Sequence, residues 1–290
     1  MSLRYVENLT EHRAVRRRLM KLGLWSVLAA GLALSGGASG GASAAESVLD
    51  EIKARGTLRV AGVVYPPIIK RRPTGEYYGV DPDLLAEFAQ ELGVKLEFVN
   101  SGWDTVVAGI TTGKWDLAPA LCVTPKRMEV IDYSETYLIV GGVLTVLKTN
   151  NKVNSIDDAN KPEVTFANVA GGWGEQIAKK AFPNATHKDF GQATDDMIAV
   201  ELVSGRTDAA IFDTPVTVSL LVDKHGDKFK FFPDKKTAMD VLPCPVAYGL
   251  KKGDTKFEKV VSDFIRKKKS SGQLQAVMDK YMTPKYITEE

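Results

Sequence analysis

Two charged residues that could bind a small molecule stand at the ends of predicted buried strands. Arg127 follows the apolar run 117–123 after a few residues, and Asp213 ends the run 207–213. A guanidinium binds a carboxylate through two parallel hydrogen bonds, whereas a carboxylate accepts hydrogen bonds from an ammonium group. Taken alone, Arg127 could form a surface ion pair and Asp213 could cap a helix. Together the two charges match a zwitterion such as an amino acid.

A glycine-rich turn, AGGWGEQ at 170–176, joins a predicted strand to a predicted helix. Backbone N–H groups at a helix N-terminus bind anions, so Gly172 is expected to contact the ligand carboxylate. The alternative is a tight turn that needs glycine only for its backbone angles. Trp173 in this turn, with Tyr65 and Trp103 after strands elsewhere, predicts an aromatic-walled cleft, although such residues more often pack in a core.

Residue groups suited to catalysis or metal binding are few. The three histidines lie in the N-terminal segment or in polar, loop-like contexts, and no Cys/His spacing predicts a metal site. No cofactor motif is found, so neither a metal nor a cofactor is expected. Glu175 begins a predicted helix beside the cleft and could serve as a general acid. The alternative is a carboxylate that the helix dipole favours.

The composition provides enough apolar residues for well-formed cores. The chain has 290 residues, of which 44% are hydrophobic, and its formal net charge is +2. This length suits one large or two medium domains. The near-neutral charge gives no broad basic surface, so nucleic acid is not expected as a partner.

The first 45 residues differ from the rest and predict an export signal, 1–45. The basic stretch RAVRRRLMK precedes a moderately apolar run rich in Gly and Ala, and small residues suited to cleavage follow. Arg16 and Arg17 resemble the twin-arginine pattern, but an ordinary Sec signal fits as well. Gly and Ser interrupt the run before about 20 strongly apolar residues accumulate, which argues against a membrane anchor. We therefore expect the mature protein in the periplasm.

Predicted strands and helices alternate along the remaining chain. Strand–helix–strand–helix–strand order over 57–123 indicates a mainly parallel sheet covered by helices. A second α/β unit follows an extended crossing that starts at Gly141 and Gly142, which are candidate hinge positions. The last strand and two helices have no sheet of their own to cover, so they are expected to return to the first unit.

This order predicts an α/β protein of two lobes, each a mixed sheet flanked by helices, joined by two hinge crossings. Residues 46–142 plus 238–290 form the first lobe, and residues 143–237 form the second. Ligands of such sheets bind at the carboxyl ends of the strands. Arg127 and Asp213 would then face each other across the cleft between the lobes.

The sequence resembles the family 3 extracellular solute-binding proteins, the polar amino-acid receptors of ABC importers. The resemblance covers nearly all of residues 47–284 and rests on the blocks TLRVAGVVYPPI, GEYYGVDPDLLAEFAQELG, WDLAPALCVTPKR, DYSETYL, GRTDAAIFD and YGLKKGD. It implies the type II periplasmic-binding-protein fold, an amino acid or amino-acid derivative as ligand, and an ABC permease in the inner membrane as partner. We expect a monomer.

The resemblance also assigns roles to individual residues. Arg127 matches the arginine that grips the ligand α-carboxylate, and Asp213 matches the carboxylate that takes the α-ammonium. Tyr65 and Trp103 match positions that wall the side-chain pocket. Thr124 matches a conventional threonine of its block and could add a hydroxyl donor.

Departures from the family pattern alter the expected ligand. Small hydroxyl residues are usual where this chain has Ala120 and Cys122, the latter at a ligand-binding position. The glycine-rich turn often reads G-T-T where this chain has Gly171-Gly172-Trp173. The backbone amides remain, but the hydroxyls are lost and an indole takes up volume. We therefore expect an amino-acid-like ligand other than a standard small polar one.

An enzyme branch of the same fold, the cyclohexadienyl dehydratases, is also similar. These enzymes use a glutamate in this turn, where Glu175 stands. The sequence favours a binding protein that is not an enzyme and keeps a prephenate or arogenate dehydratase as the alternative. A sensory module is a third interpretation.

Cys122 and Cys244 are the two cysteines of the chain. In the fold that the resemblance implies, the returning strand tends to lie antiparallel to the third strand of the first lobe, which would bring them close. A disulfide and a pair of buried thiols are both open at this point.

Overall fold

The structure is a computed structural model that describes residues 47–233 and 242–282. The predicted export signal, 1–45, lies outside the described residues, and so does the predicted lobe boundary at 237/238. Among the helices of these two segments, none has both the length and the hydrophobicity that a membrane crossing requires.

Strands and helices alternate as the sequence predicts. The strands are β1 Thr57–Gly62, β2 Lys70–Arg71, β3 Tyr77–Tyr78, β4 Lys95–Asn100, β5 Leu117–Cys122, β6 Ile131–Tyr133, β7 Leu138–Leu147, β8 Thr165–Val169, β9 Thr186–Phe190, β10 Ala209–Asp213, β11 Phe229–Phe232 and β12 Pro243–Lys251. The α-helices are α1 Val48–Arg55, α2 Val80–Leu92, α3 Val106–Thr111, α4 Pro125–Met128, α5 Trp173–Ala181, α6 Asp195–Val203, α7 Thr214–Val216, α8 Asp223–His225, α9 Thr255–Ser270 and α10 Gln273–Tyr281. A 3₁₀ turn spans Asp157–Ala159, and a π-helical segment, Thr217–Val222, joins α7 to α8.

Ten of the described strands form one mixed sheet in the order β4-β1-β5-β12-β7-β10-β8-β9, with β6 on β12 and β11 on β7. We call β4, β1, β5, β12 and β6 the first half-sheet, and β10, β8, β9 and β11 the second half-sheet. Strands β1, β4 and β5 are parallel, and β8 is parallel to both β9 and β10. Parallel strands of this kind are buried by the helices that connect them.

Strand β7 belongs to both half-sheets and changes partner at two glycines. Gly141 pairs with Pro243 of β12, and the next residue, Gly142, pairs with Asp213 of β10. The predicted extended crossing is therefore a ten-residue strand. The predicted hinge residues lie at the point where it passes from one half-sheet to the other.

The end of the chain packs on the helices of the first half-sheet. Asp254, which caps α9, accepts a hydrogen bond from Ser47 Oγ at 2.8 Å. Tyr281 of α10 donates to Asp83 of α2 at 2.9 Å. The limits proposed for the two lobes, 46–142 plus 238–290 and 143–237, stay a prediction.

Helix α2 begins earlier than the sequence suggests. Asp81 has a residue type that favours an N-cap, but the helix starts at Val80 and its cap is Gly79, with φ 132°. A side chain at Gly79 would collide with the Ile68 carbonyl, 2.5 Å from the Cβ position. Asp81 is buried in the first turn, where its carboxylate accepts from the Tyr137 and Tyr248 hydroxyls.

Candidate functional site

A cavity lies where strands of the two half-sheets end. Its empty volume is about 630 Å³, including the part that is open to solvent. It is lined by Tyr65, Trp103, Ala120, Cys122, Arg127, Ala167, Asn168, Val169, Gly172, Trp173, Gly174, Glu175, Asp195, Ile198, Ile211, Phe212 and Asp213.

The Arg127 guanidinium lines the cavity, and we call it, together with its contacts, the basic end. Strand β5 ends at Cys122, and the Thr124 hydroxyl then caps the short helix α4 by accepting from the Arg127 N–H at 3.3 Å. The Arg127 side chain is buried, and its Nη1 donates to the Cys122 carbonyl at 3.0 Å. Its Nη2 donates to the Gly171 carbonyl, also at 3.0 Å. The Cys122 carbonyl ends strand β5 of the first half-sheet, and the Gly171 carbonyl lies in the turn after strand β8 of the second. The guanidinium is therefore held in place by both half-sheets.

Two carboxylates, Asp213 and Asp195, also line the cavity, and we call them the acidic end. Asp213 ends β10, and its Oδ1 accepts from the Val216 N–H at 3.2 Å, so it caps α7 as well as lining the cavity. Removal from water raises the pKa of the Asp213 carboxyl to about 6, although hydrogen bonds from Tyr65 and Val216 oppose the rise. Burial and the same carboxylate raise the pKa of the Tyr65 phenol, which therefore stays a donor.

A second carboxylate, which the sequence analysis missed, shares this acidic end. Asp195 is the first residue of α6 and lines the cavity. Removal from water, and then the charges of Asp213 and Asp196, raise the pKa of Asp195 to about 7. The sequence signal was the Asp pair at the start of a predicted helix. The sequence at a helix start does not show which side chains face a cavity. Only the fold identifies Asp195, rather than Asp196, as the residue that lines it.

Aromatic rings form part of the cavity wall. Tyr65 and Trp103 meet edge to face, with ring centroids 5.9 Å apart. The buried Trp173 indole packs against strand β7 at Gly142. A Cβ at Gly142 would lie only 2.4 Å from the Cη2 atom of this indole. The change of partner in β7 and the wall of the cavity are therefore in direct contact, and only glycine fits between them.

The glycine-rich turn closes against the first half-sheet. Gly171 has φ +75°, and a Cβ there would be 2.8 Å from the Trp103 carbonyl oxygen and 2.9 Å from Asp104 Cα. Asp104 also accepts from the Gln192 N–H at 3.2 Å. These contacts cover the cavity on the side of the turn.

Glu175 lines the cavity, but both of its carboxylate oxygens have partners. Its Oε2 accepts from the Gly171 N–H at 2.6 Å, and its Oε1 accepts from Lys179 Nζ at 2.7 Å. Both partners are donors, which suits an ionised carboxylate that fixes the turn.

Most of the predicted site residues meet in this cavity. Those that line it are Tyr65, Trp103, Cys122, Arg127, Gly172, Trp173, Asp213 and, as the candidate acid, Glu175. Thr124 is buried, is not among the lining residues, and accepts from the backbone N–H of Arg127.

The two cysteines form a disulfide, which decides between the alternatives that the sequence left open. Cys122 and Cys244 have Cα atoms 5.3 Å apart. As expected, β12 runs antiparallel to β5, with Val246 opposite Cys122. The bond therefore ties the strand end that carries Arg127 to the returning strand.

Comparison with protein families decides the class of protein. The model of the bacterial extracellular solute-binding proteins, family 3, matches residues 58–284. The chain belongs to this family. The resemblance that its sequence blocks suggested is thereby confirmed.

Family 3 relatives include binding proteins and an enzyme. The chain is 27% identical to the probable histidine-binding protein of Neisseria gonorrhoeae, over 71% of this chain and 75% of that one. It is 25% identical to the cyclohexadienyl dehydratase of Pseudomonas aeruginosa, over 87% and 92% of the two chains.

The solved structures confirm the predicted fold class. The crystal structure of the ancestral amino acid-binding protein AncCDT-1, a precursor of cyclohexadienyl dehydratase, is 33% identical with a TM-score of 0.71. The match covers 82% of this chain and all of that one (100%). This family 3 member thus has a fold that hosts both binding and catalysis among its relatives, so its function depends on the residues of the cavity.

Proposed function

We propose that this protein is a periplasmic receptor that binds an amino acid or amino-acid-like zwitterion and delivers it to an ABC permease in the inner membrane. The observation that carries the proposal is that Arg127 and Asp213, which have opposite charges, line the same cavity. The binding proteins among its relatives support the same function. Residues 1–45 would direct export, and the mature protein would act as a monomer.

In this mechanism the ligand carboxylate docks first on Arg127. The backbone contacts of the guanidinium hold it in a fixed orientation, so little freedom is lost when the carboxylate binds. The second half-sheet then closes by a change in backbone angles at Gly141 and Gly142, and Asp213 takes the ligand ammonium. Closure excludes water, which strengthens both charge-assisted hydrogen bonds.

The receptor function is tested by calorimetry and thermal denaturation with the twenty amino acids and their derivatives. Mature protein is first unfolded, dialysed and refolded, so that any co-purified ligand is removed. A ligand at 100 times its Kd should stabilise the protein by about 2.7 kcal/mol. The proposal is wrong if no amino acid or derivative releases heat or raises the Tm.

A dehydratase acting on prephenate or arogenate is the second candidate function, because Glu175 lines the cavity and a dehydratase is among the relatives. The hydrogen bonds from Gly171 and Lys179 weigh against it, since a general acid must carry a proton. Incubation with prephenate and detection of phenylpyruvate tests this function directly. Turnover that Glu175→Gln abolishes would establish the enzyme, whereas unchanged prephenate supports the receptor.

A further inference from the structure

We propose that the ligand carries a second cationic group, an ammonium or a guanidinium on its side chain, and that Asp195 binds it. This inference rests on the proposed receptor function and names the ligand class: basic amino acids. The argument starts from the charges that line the cavity.

The described lining of the cavity has an excess of one negative charge when its carboxylates are ionised. Arg127 supplies one positive charge, and Asp195 and Asp213 supply two negative charges. The remaining charged lining residue, Glu175, forms a salt bridge at 2.7 Å with Lys179, which also pairs with Asp189 at 2.5 Å. A neutral zwitterion would match Arg127 and Asp213 and would leave Asp195 without a cationic partner. A basic amino acid carries one more positive charge and matches all three residues.

Asp195 has no cationic partner within the described parts of the chain. The charged groups that act on Asp195 are Asp213 at the end of β10 and Asp196 on its own helix, and Asp195 in turn acts on the Tyr65 phenol. Neither Asp195 nor Asp213 forms a salt bridge with a lysine or arginine of residues 47–233 and 242–282. Two ionised carboxylates that are partly removed from water repel each other, which raises the free energy of the site. A cation that contacts both of them removes this repulsion.

Polar atoms of the lining also call for a ligand. Trp173 Nε1 and Asn168 Oδ1 are buried and make no hydrogen bond to the described residues. Trp173 is 8% exposed and Asn168 is 3% exposed, and both residues line the cavity. A buried donor and a buried acceptor are each expected to find a partner. A ligand with a carboxylate and several N–H groups offers an acceptor to the Trp173 N–H and a donor to the Asn168 oxygen.

The aromatic walls suit a cationic side chain as well. Tyr65, Trp103 and Trp173 line the same cavity as the charged residues. A cation over the face of a Trp or Tyr ring is attracted by the negative face of the ring, most strongly for Trp. A neutral hydrophilic side chain would gain less from the same walls.

The test compares L-arginine and L-lysine with L-citrulline, which has the shape of arginine without its charge. Calorimetry of the wild-type protein should give L-arginine or L-lysine an affinity at least about tenfold higher than L-citrulline, because charged partners strengthen a buried hydrogen bond. Asp195→Asn should abolish this preference by weakening the cationic ligand while the affinity for L-citrulline is kept. Asp196→Asn is the matched control, since Asp196 is exposed and pairs with Lys224 at 2.9 Å.

The outcomes separate this inference from the proposed function. Equal affinities for L-arginine and L-citrulline, or a preference that survives Asp195→Asn, would overturn the inference and leave the receptor function intact. An Asp195→Asn variant that loses all ligands equally would also overturn it, because that loss indicates a structural role. Unchanged circular dichroism and Tm of the variant exclude unfolding. Failure of every amino acid to bind wild type would instead overturn the receptor function.

Discussion

The two ends of the cavity carry opposite charges, and they differ in whether the protein itself supplies partners of opposite polarity for those charges. At the basic end, the backbone carbonyls of Cys122 and Gly171 accept from Arg127, so the protein itself orients the charge. At the acidic end, Asp195 and Asp213 lie close enough for the charge of one to raise the pKa of the other. We therefore propose that the basic end is oriented before a ligand binds, whereas the acidic end is completed by the ligand.

This difference assigns separate tasks to the two ends. A fixed guanidinium supplies geometry and rejects ligands that lack a carboxylate. A pair of carboxylates without a cationic partner discriminates between cationic and neutral ligands. Only a cationic ligand offsets the free energy needed to ionise both carboxylates. Variants at the basic end should therefore affect every ligand, and changes at the acidic end should affect cationic ligands most.

The largest effect is expected from Arg127→Ala. The variant leaves a buried ligand carboxylate without its charged partner and removes the link from Cys122 to Gly171. Affinity for every amino-acid ligand should fall by about 2–5 kcal/mol, measured by calorimetry.

The neighbouring Lys126→Ala is the control for this variant, because Lys126 is exposed on the same short helix. Its affinity should equal that of the wild type. If Arg127→Ala binds ligand as tightly as Lys126→Ala does, then the guanidinium has no role in recognition and the comparison of the two ends collapses.

A smaller but still clear loss is expected from Gly171→Ala. The new Cβ would lie 2.8 Å from the Trp103 carbonyl oxygen at a φ of +75°, so the turn must move away from the first half-sheet. Closure over the ligand should weaken, with a loss of affinity of about 1–3 kcal/mol.

Gly191→Ala is the matched control for the turn, because no atom lies within 4 Å of the Cβ position at Gly191. Both variants are measured by calorimetry with the same ligand. An affinity of Gly171→Ala equal to that of Gly191→Ala would show that the turn does not have to approach Trp103 for binding.

Much of the basic end could be predicted from sequence, and less of the acidic end. Arg127 follows a strand by a fixed short connection, so its position at the sheet edge follows from the strand order alone. Asp213 follows for the same reason. Asp195 begins a helix instead, and the direction in which that helix starts depends on the packing of the whole second half-sheet.

Tertiary contacts also explain two features that the local sequence does not determine. Asp81 has the residue type of an N-cap, but the chain turns at Gly79 and buries Asp81 between two tyrosines. The Cys122–Cys244 disulfide depends on the register of β5 and β12, strands that are far apart in the sequence. Neither contact leaves a local pattern in the sequence.

The acidic end predicts a pH dependence of binding. The free Asp195 carboxyl has a pKa of about 7, and a bound cation would lower it, so binding at lower pH must release a proton. Affinity for a basic amino acid should therefore be constant above about pH 8 and fall about tenfold by about pH 6.

Calorimetry in buffers of different ionisation enthalpy would detect the released proton. Asp213, with a pKa of about 6, would add to the decline at lower pH, because it faces the same space. Asp195→Asn should flatten the profile between about pH 6 and pH 8, where Asp213 contributes less. A wild-type profile that is already flat over this range would contradict the coupling of the two carboxylates to the ligand.

The smallest effect is expected from Thr124→Ala, which separates a positioning role from direct contact. The buried Thr124 hydroxyl accepts from the Arg127 N–H, so its loss should lower the free energy of unfolding by about 1 kcal/mol, as for other helix caps. Thr124→Ser keeps the oxygen and should recover most of this stability. Because the guanidinium is still held by Cys122 and Gly171, affinity should change only about threefold or less. A loss of affinity as large as that of Arg127→Ala, at unchanged stability, would instead make Thr124 a direct ligand contact, as its family block suggests.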